Sequence, residues 1–577
     1  MSDATIAPAR AHPGGALGEL VSLRTISVLV VLGVSALIIY PIAVMVWGAF
    51  GPNAAVREQG LLQTLIEANV VKVLTNTFIV VGAGGAIAMV AGAMFAWLNE
   101  RTDASTGWFG EILPLMPLLV PQIAGVIGWV MLLAPRAGLL NAGIRDALSV
   151  VGVELNSGPL DIYTMGGFIA IMGLYLTPYV YLPVSSALKS LDPSLEEASR
   201  MAKASTWSTF RHVTMPAIRP ALLASLLLVL MMGFAIFSVP VIIGTGANIE
   251  ILSVRIYHLV YGYPSRVDLA IILGLVLTLI VQTLLLLQAW IANSDHAAQI
   301  GGKGARVARV QLGHWRLPAR AALIAYILAA GVLPVLGLAF VSLQPFWTAN
   351  IKWDVLGFDN YRTIFTGYGQ TGEALFNSVA LGIIGGTVGM LIAALLARTA
   401  KTSGGLLGRA INAITAAPAG VPHVVLAVGF VLSFSSGWLN LSGTWLILLL
   451  AYLTIFMPQA MRSAAVAVDQ VGRELVEASQ IFKASPGRSF RKILLPLMLP
   501  GLAAGWVILF VQMSGELTAS ALLAKSTNPV VGQVLLDLWQ NGSFPEIAAV
   551  ALIMTLINSA VVSVVFGLLR RSRAHRP

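Results

Sequence analysis

Two stretches decide how this chain is read: LDPSLEEASRMAKASTWSTFRHVTMPAIRP at residues 191–220 and VGRELVEASQIFKASPGRSFRKILLPLMLP at residues 471–500. An offset of 280 pairs Leu195 with Leu475, Glu197 with Glu477, Ala198 with Ala478, Ser199 with Ser479 and Lys203 with Lys483. It continues through Ser205/Ser485, Arg211/Arg491, Pro216/Pro496 and Pro220/Pro500. Each copy is too polar to cross a bilayer and reads as helix, turn, helix. Asp192 is placed to cap the first helix, with Pro193 at its first position and Glu196 and Glu197 in its first turn, where negative charge suits the helix dipole. Ser205 and Ser485 repeat the start signal for the second short helix. Leu195, Ala198 and Met201 share one face at helical spacing; Leu475, Ala478 and Phe482 approximate the same stripe.

The surroundings of both copies are apolar. Hydrophobic residues make up 57% of the 577-residue chain and charged residues 10%, against roughly a quarter charged in soluble proteins. With a mean hydropathy of +0.85, lipid must be the solvent for much of the surface. A bilayer core about 30 Å thick needs roughly 20 apolar helical residues. Twelve segments meet that length, near 27–50, 75–98, 112–134, 163–188, 220–244, 269–292, 321–343, 376–397, 411–435, 443–461, 499–523 and 547–569. The first is read as a retained membrane helix rather than a cleaved signal. The chain has no cysteine, which excludes disulfides, thiolate metal sites and cysteine nucleophiles.

Basic residues set the orientation. With the N-terminus inside, 26 of the 35 lysines and arginines fall in cytoplasmic segments and nine outside. This bias explains the net charge of +10 without nucleic acid. In the second helix of each half an offset of 301 pairs Asn76 with Asn377, Gly84 with Gly385, Gly85 with Gly386 and Ala96 with Ala397. Six helices per half is an even number, so both halves enter the membrane in the same sense. The expected fold is an all-α polytopic membrane protein of 12 transmembrane helices, arranged as two parallel six-helix repeats with both termini cytoplasmic. Its parts are a tail at 1–26, a first half at 27–292, a basic connector at 293–320, a second half at 321–570 and a tail at 571–577.

Glu197-Ala198-Ser199 through Pro216, and Glu477-Ala478-Ser479 through Pro496, resemble the EAA loop of binding-protein-dependent ABC importer permeases. The resemblance covers a type-1 transmembrane unit in each half, about 72–292 and 373–570. It implies that each loop forms a coupling helix docked in a groove of a separate ATPase subunit. Lys203 and Lys483 stand where the family usually has glycine. A left-handed backbone there would cost a non-glycine residue roughly 1–2 kcal/mol, and the lysines could add contact to an acidic ATPase surface. The implied site residues are Glu197, Ala198, Ser199, Lys203, Glu477, Ala478, Ser479 and Lys483. The implied partners are two ABC ATPase subunits, as a homodimer, which consume the ATP, and a periplasmic or extracellular solute-binding protein. The implied location is the bacterial inner membrane, in multi-pass contact with lipid. Phe237-Ser238-Val239-Pro240 with Ile256-Tyr257, and Leu538-Trp539-Gln540-Asn541-Gly542, resemble the ferric-iron branch; polyamine, thiamine and aminoethylphosphonate permeases share much of this pattern.

Other features are weaker. Glu516 is expected inside the eleventh helix, where a carboxylate either faces a translocation path or is hydrated near the external end; the 280 offset matches it with Ile236. Gly84, Ala88 and Gly92, and Gly385 and Gly389, recur every fourth residue and read as helix-packing stripes. Pro178 and Pro458 correspond by the same offset as kinks. Tryptophans such as Trp47, Trp108, Trp347 and Trp445 read as an interfacial belt. The dispersed His212, His258, His314 and His423 give no metal site.

Gly301-Gly302-Lys303-Gly304 lacks the distal glycine and the Ser/Thr of a phosphate loop, so no cofactor and no catalytic residue is assigned to this chain and ATP belongs to a partner. A secondary transporter could also be built of parallel repeats, but would bury several ionisable residues where only Glu516 stands out. A membrane enzyme would need clustered catalytic groups, and neither a GxSxG elbow nor an HExxH pair is present.

Overall fold

The computed structural model describes residues 13–51, 60–107, 120–294, 309–366, 370–403, 405–435, 439–470 and 493–574. Among them the chain is helix and turn, with no strand and a single isolated parallel bridge between Thr102 and Val310. Ten helices are long and apolar enough to cross a membrane. They are α1 (Pro13–Phe50), α2 (Val70–Arg101), α4 (Met165–Ser190), α6 (Thr206–Ala235), α8 (Val267–Ser294), α9 (Gly313–Ser342), α10 (Thr371–Ser403), α13 (Trp445–Asp469), α14 (Leu495–Ser514) and α16 (Phe544–Ala574). Between them lie the shorter α3 (Gln122–Leu133), α5 (Pro193–Met201), α7 (Leu252–Tyr261), α11 (Gly405–Gly420), α12 (His423–Phe434) and α15 (Val531–Gln540). This is a multi-pass membrane protein.

Four of the expected spans are not simple rods. The segment expected at 411–435 is α11 and α12, bent by 103°. Val421 is extended (φ −118°, ψ 117°), because the ring of Pro422 disfavours the helical conformation in the residue before it. In the segment expected at 112–134, residues 112–119 lie outside the described residues; Pro121 then starts the 12-residue α3. Pro121 and Pro422 are related by the offset of 301 seen in the second helices.

The spans expected at 220–244 and 499–523 end early, α6 at Ala235 and α14 at Ser514, positions nearly related by the 280 offset. Opened backbone is tolerated at membrane depth only where protein satisfies it. In the first half, the Ser253 hydroxyl donates to the Ile236 carbonyl at 3.0 Å. In the second, the Glu516 carboxylate accepts from the backbone N–H groups of Ala519 (2.9 Å) and Ser520 (3.1 Å). Glu516 therefore lies beyond α14 and not within it, a correction to the expected placement. The apolar run continues through both breaks, which is why composition hides them.

Small residues set the helix spacing. A methyl on Gly92 of α2 would sit 2.6 Å from Val180 Cβ of α4, and one on Gly385 of α10 would sit 2.7 Å from Met513 Sδ of α14. Pro178 and Pro458 lie inside α4 and α13. The first helix of each half packs on the other half. Gly429 of α12 receives Pro41 of α1, with the carbonyl 3.1 Å from the added Cβ, and Gly128 of α3 receives Pro334 of α9 at 2.3 Å.

Candidate coupling site

Asp192 starts α5 by accepting the Ser194 N–H at 2.9 Å. The backbone N–H and hydroxyl of Ser194 hold the Asp192 carboxyl below the usual carboxylate range. At the other end Lys203 is left-handed, φ 62°. The Ala204 N–H reaches the Ser199 carbonyl at 3.2 Å and the Lys203 N–H the Arg200 carbonyl at 2.9 Å. These two bonds are a Schellman closure, in which the residue after the cap is normally glycine. Lysine carries the strain here. Ser205 then caps the start of α6 by accepting the Ser208 N–H at 3.2 Å, and the Ser199 and Thr209 hydroxyls, 2.9 Å apart, tie α5 to the first turn of α6.

The amphipathicity of this elbow is inverted. Leu195 is 51% exposed, Met201 86% and Trp207 67%, with Ala198, Glu197 and Lys203 exposed beside them. Turned inward beside Pro193 is an acid: Glu196 is 5% exposed. Its Oε1 accepts the Thr214 hydroxyl at 2.6 Å and its Oε2 lies 3.6 Å from Nε of Arg101, the last residue of α2. Arg101 is 1% exposed, and its Nη2 donates to the carbonyls of Leu188 (2.8 Å) and Leu191 (3.1 Å). A helix leaves its last carbonyls without intrahelical donors; one guanidinium meets that need at the end of α4 while facing the carboxylate of α5.

The connector joins at the same place. The Val310 N–H donates to the Arg101 carbonyl at 2.8 Å and the Asp103 N–H to the Val310 carbonyl at 3.1 Å. Asp103 Oδ1 accepts the Leu312 N–H at 3.1 Å, and Arg316 and Arg320 of α9 donate to carbonyls of Asp103 and Ser105. The second loop's Glu477, Ala478, Ser479 and Lys483 lie outside the described residues.

Glu516 adjoins the seam between the halves. A Cβ on Gly515 would lie 3.2 Å from Pro121 Cβ of the first half, and the Tyr261 hydroxyl donates across the seam to the Leu522 carbonyl at 3.1 Å. Glu516 Oε1 has no hydrogen-bond partner and lies 3.7 Å from Nδ1 of the half-exposed His423, at the start of α12. Among the described residues no group of three His, Asp or Glu side chains is placed to hold a metal ion.

The family described as "Binding-protein-dependent transport system inner membrane component" matches residues 86–294 and 385–574. The chain belongs to that family. This permease is 24% identical over 532 residues to the ferric transport system permease protein FbpB of Actinobacillus pleuropneumoniae, covering 91% of this chain and 75% of the relative. It is 26% identical over 506 residues to the putative ferric transport system permease protein FbpB 1 of Haemophilus influenzae, covering 85% and 76%. Over 154 residues it is 29% identical to the spermidine/putrescine transport system permease protein PotC of Haemophilus influenzae, covering 27% of this chain and 59% of the relative.

Both EAA-like loops were visible in the permease's sequence, whereas Arg101 and the inward role of Glu196 were not. The available signal was a lone arginine closing a long apolar helix, a position where a charge is expected to have a partner. His423, one of several histidines scattered in the sequence, is brought by the fold to Glu516.

Proposed function

We propose that this chain is the membrane permease of an ATP-driven importer of ferric iron, with one ATPase subunit of a homodimer docked on each of its two coupling loops. The observation that carries this reading is the outward Leu195, Ala198, Met201 and Trp207 surface on a rigidly closed elbow. Exposed apolar side chains at a polar membrane edge suit an interface, and an attached short helix can pass on a rigid-body motion. Glu197 and Lys203 rim that surface, offering one charge of each sign to the groove. Residues 471–500 repeat the sequence pattern of this loop, with Glu477, Ala478, Ser479 and Lys483 in the corresponding places, and are assigned to the second subunit on that ground.

In this reading ATP is bound and hydrolysed by the partner subunits, and a solute-binding protein delivers the cargo on the opposite side. The chain crosses the bacterial inner membrane 12 times as two parallel repeats, 27–292 and 321–570, with type-1 units at about 72–292 and 373–570. The N-terminal tail, the connector at 293–320 and the tail at 571–577 then face the cytoplasm. The seam between the halves is the translocation path. Glu516 Oε1, aimed at His423, is the carboxylate that meets a cationic cargo there. The ferric assignment is supported by the long matches to two ferric permeases.

The test is a complex reconstituted with its ATPase and binding protein. Changing Glu197 and Glu477 together to lysine should abolish binding-protein-stimulated ATP hydrolysis, and full stimulation would overturn the coupling role. Uptake of radioactive ferric iron into proteoliposomes, compared with spermidine, tests the cargo.

A further inference from the structure

Arg101 occupies a junction that the coupling reading leaves unused. Its side chain reaches three parts of the first half at once: the final carbonyls of α4 through Leu188 and Leu191, the inward carboxylate of Glu196 on α5, and, through that carboxylate, Thr214 of α6. Its own carbonyl accepts the Val310 N–H, so the strap leading into α9 of the second half is fixed to the same residue. Nε and Nη1 of Arg101 are buried without a hydrogen-bond partner. The guanidinium therefore sits in this junction at an electrostatic cost that the Glu196 charge offsets.

We propose that Arg101 is the positioning residue of the first coupling loop, holding α5 in register with the ends of α2 and α4 and with the strap that enters the second half. The inference rests on the docking role given above to the 191–220 loop. The geometry favours transmission over simple stability. An ion pair buried at this depth is weak evidence for stability, since apolar replacements of similar volume are often neutral or better. What such replacements lose is the guanidinium fork, whose Nη2 holds two carbonyls while its Nε faces the Glu196 carboxylate. The arrangement is also one-sided in sequence: by the 301 and 280 offsets, the positions matching Arg101 and Glu196 are Thr402 and Val476. At those two matching positions the charged pair of the first loop is not repeated.

The experiment uses the full complex in lipid nanodiscs, with R101M, E196Q, the double variant R101M/E196L, and T402M as control. Three quantities are read: the amount of ATPase subunit co-purifying, basal against binding-protein-stimulated hydrolysis, and the distance distribution between spin labels at Ser194, exposed on α5 outside the docking surface, and at Val90, an exposed position on α2. R101M and E196Q are expected to keep the ATPase bound and basal hydrolysis intact. Stimulation should fall about tenfold, within the range by which residues outside a binding site alter coupling between sites, and the label distances should broaden. R101M/E196L restores charge balance but not the fork, so it should fold normally and remain uncoupled; T402M should behave as wild type. Full stimulation with narrow distances in R101M, or recovery of stimulation in R101M/E196L, overturns the positioning role while leaving docking intact. If L195D/M201D also fails to release the ATPase, the docking reading itself falls, a separately visible result. Should R101M not fold, E196Q, which keeps the side-chain shape, decides the matter with the same readouts.

Discussion

Glu196 and Glu197 are neighbours in the chain and face opposite ways. The first is buried, with its carboxylate 3.6 Å from the Arg101 guanidinium, and the second is exposed beside Leu195 and Met201. Successive residues on a helix are about 100° apart, so a buried and an exposed acid can sit side by side only where one face meets the membrane helices and the other is left for a partner. The inner acid fixes the elbow; the outer one is available to whatever grips it.

The exposed apolar face gives the first test. L195D/M201D places charge on an outward surface, where substitutions usually change stability by less than about 0.5 kcal/mol. The permease should therefore keep its melting temperature in detergent, while the amount of ATPase subunit recovered with it drops severalfold. Unchanged recovery would remove the docking surface from the account.

Lys203 gives the second. Its φ of 62° is a conformation that costs a non-glycine residue about 1 kcal/mol. K203G should slow amide hydrogen exchange across α5 several-fold, and K203V, a β-branched residue in the left-handed region, should speed it. If K203G destabilises the loop, the lysine side chain contributes more than its backbone strain removes.

Acid should loosen the same helix from its other end. The Asp192 carboxyl is held below its ordinary value by Ser194, so its folded-state pKa lies under its unfolded one. The cap therefore contributes above the ordinary carboxylate pKa of about 4 and is lost as pH falls through the depressed folded value. Exchange of the α5 amides should accelerate in that acidic window and lose the acceleration in D192N.

Gly128 tests the crossing of the two halves. A methyl there would lie 2.3 Å from the Pro334 carbonyl of α9, a backbone atom that cannot swing aside. G128A should lower stability by about 1–3 kcal/mol, read as an earlier thermal transition. G143A, in a helix where nothing lies within 4 Å of the added carbon, should leave that transition in place or raise it.

Glu516 separates a structural duty from a path duty. E516Q retains an oxygen to accept the Ala519 and Ser520 N–H groups but carries no charge. It should keep thermal stability and ATP hydrolysis while ferric uptake falls severalfold. E516A, which leaves those two donors without their acceptor, should also lose about 1–3 kcal/mol of stability. Wild-type uptake by E516Q would confine Glu516 to its local bonds.

Local chemistry was legible in the sequence; long-range chemistry was not. Asp192 and Ser205 were readable as helix starts because a cap depends on residues two or three positions away, and the two Asp192 and Ser205 bonds form as those spacings dictate. The left-handed turn at Lys203 was foreseeable because the loop pattern normally places glycine there. The breaks after Ala235 and Ser514 were hidden because the apolar run continues past them, and what satisfies the opened backbone comes in one case from Ser253, well along the chain. Arg101 and Glu196, on different helices, have no local pattern that announces their meeting. Small-residue spacing did indicate close helix contacts, but not that α1 and α9 would lie against the opposite halves.

That exchange of leading helices has a consequence for how the molecule comes apart. With Pro41 seated over Gly429 and Pro334 over Gly128, each half clasps a limb of the other, like folded arms. A protease nick between residues 295 and 308 would sever the chain without separating the pieces, which should still migrate as one particle in mild detergent. A half synthesised alone would have an unfilled furrow where its missing limb belongs, and should aggregate until its counterpart is supplied.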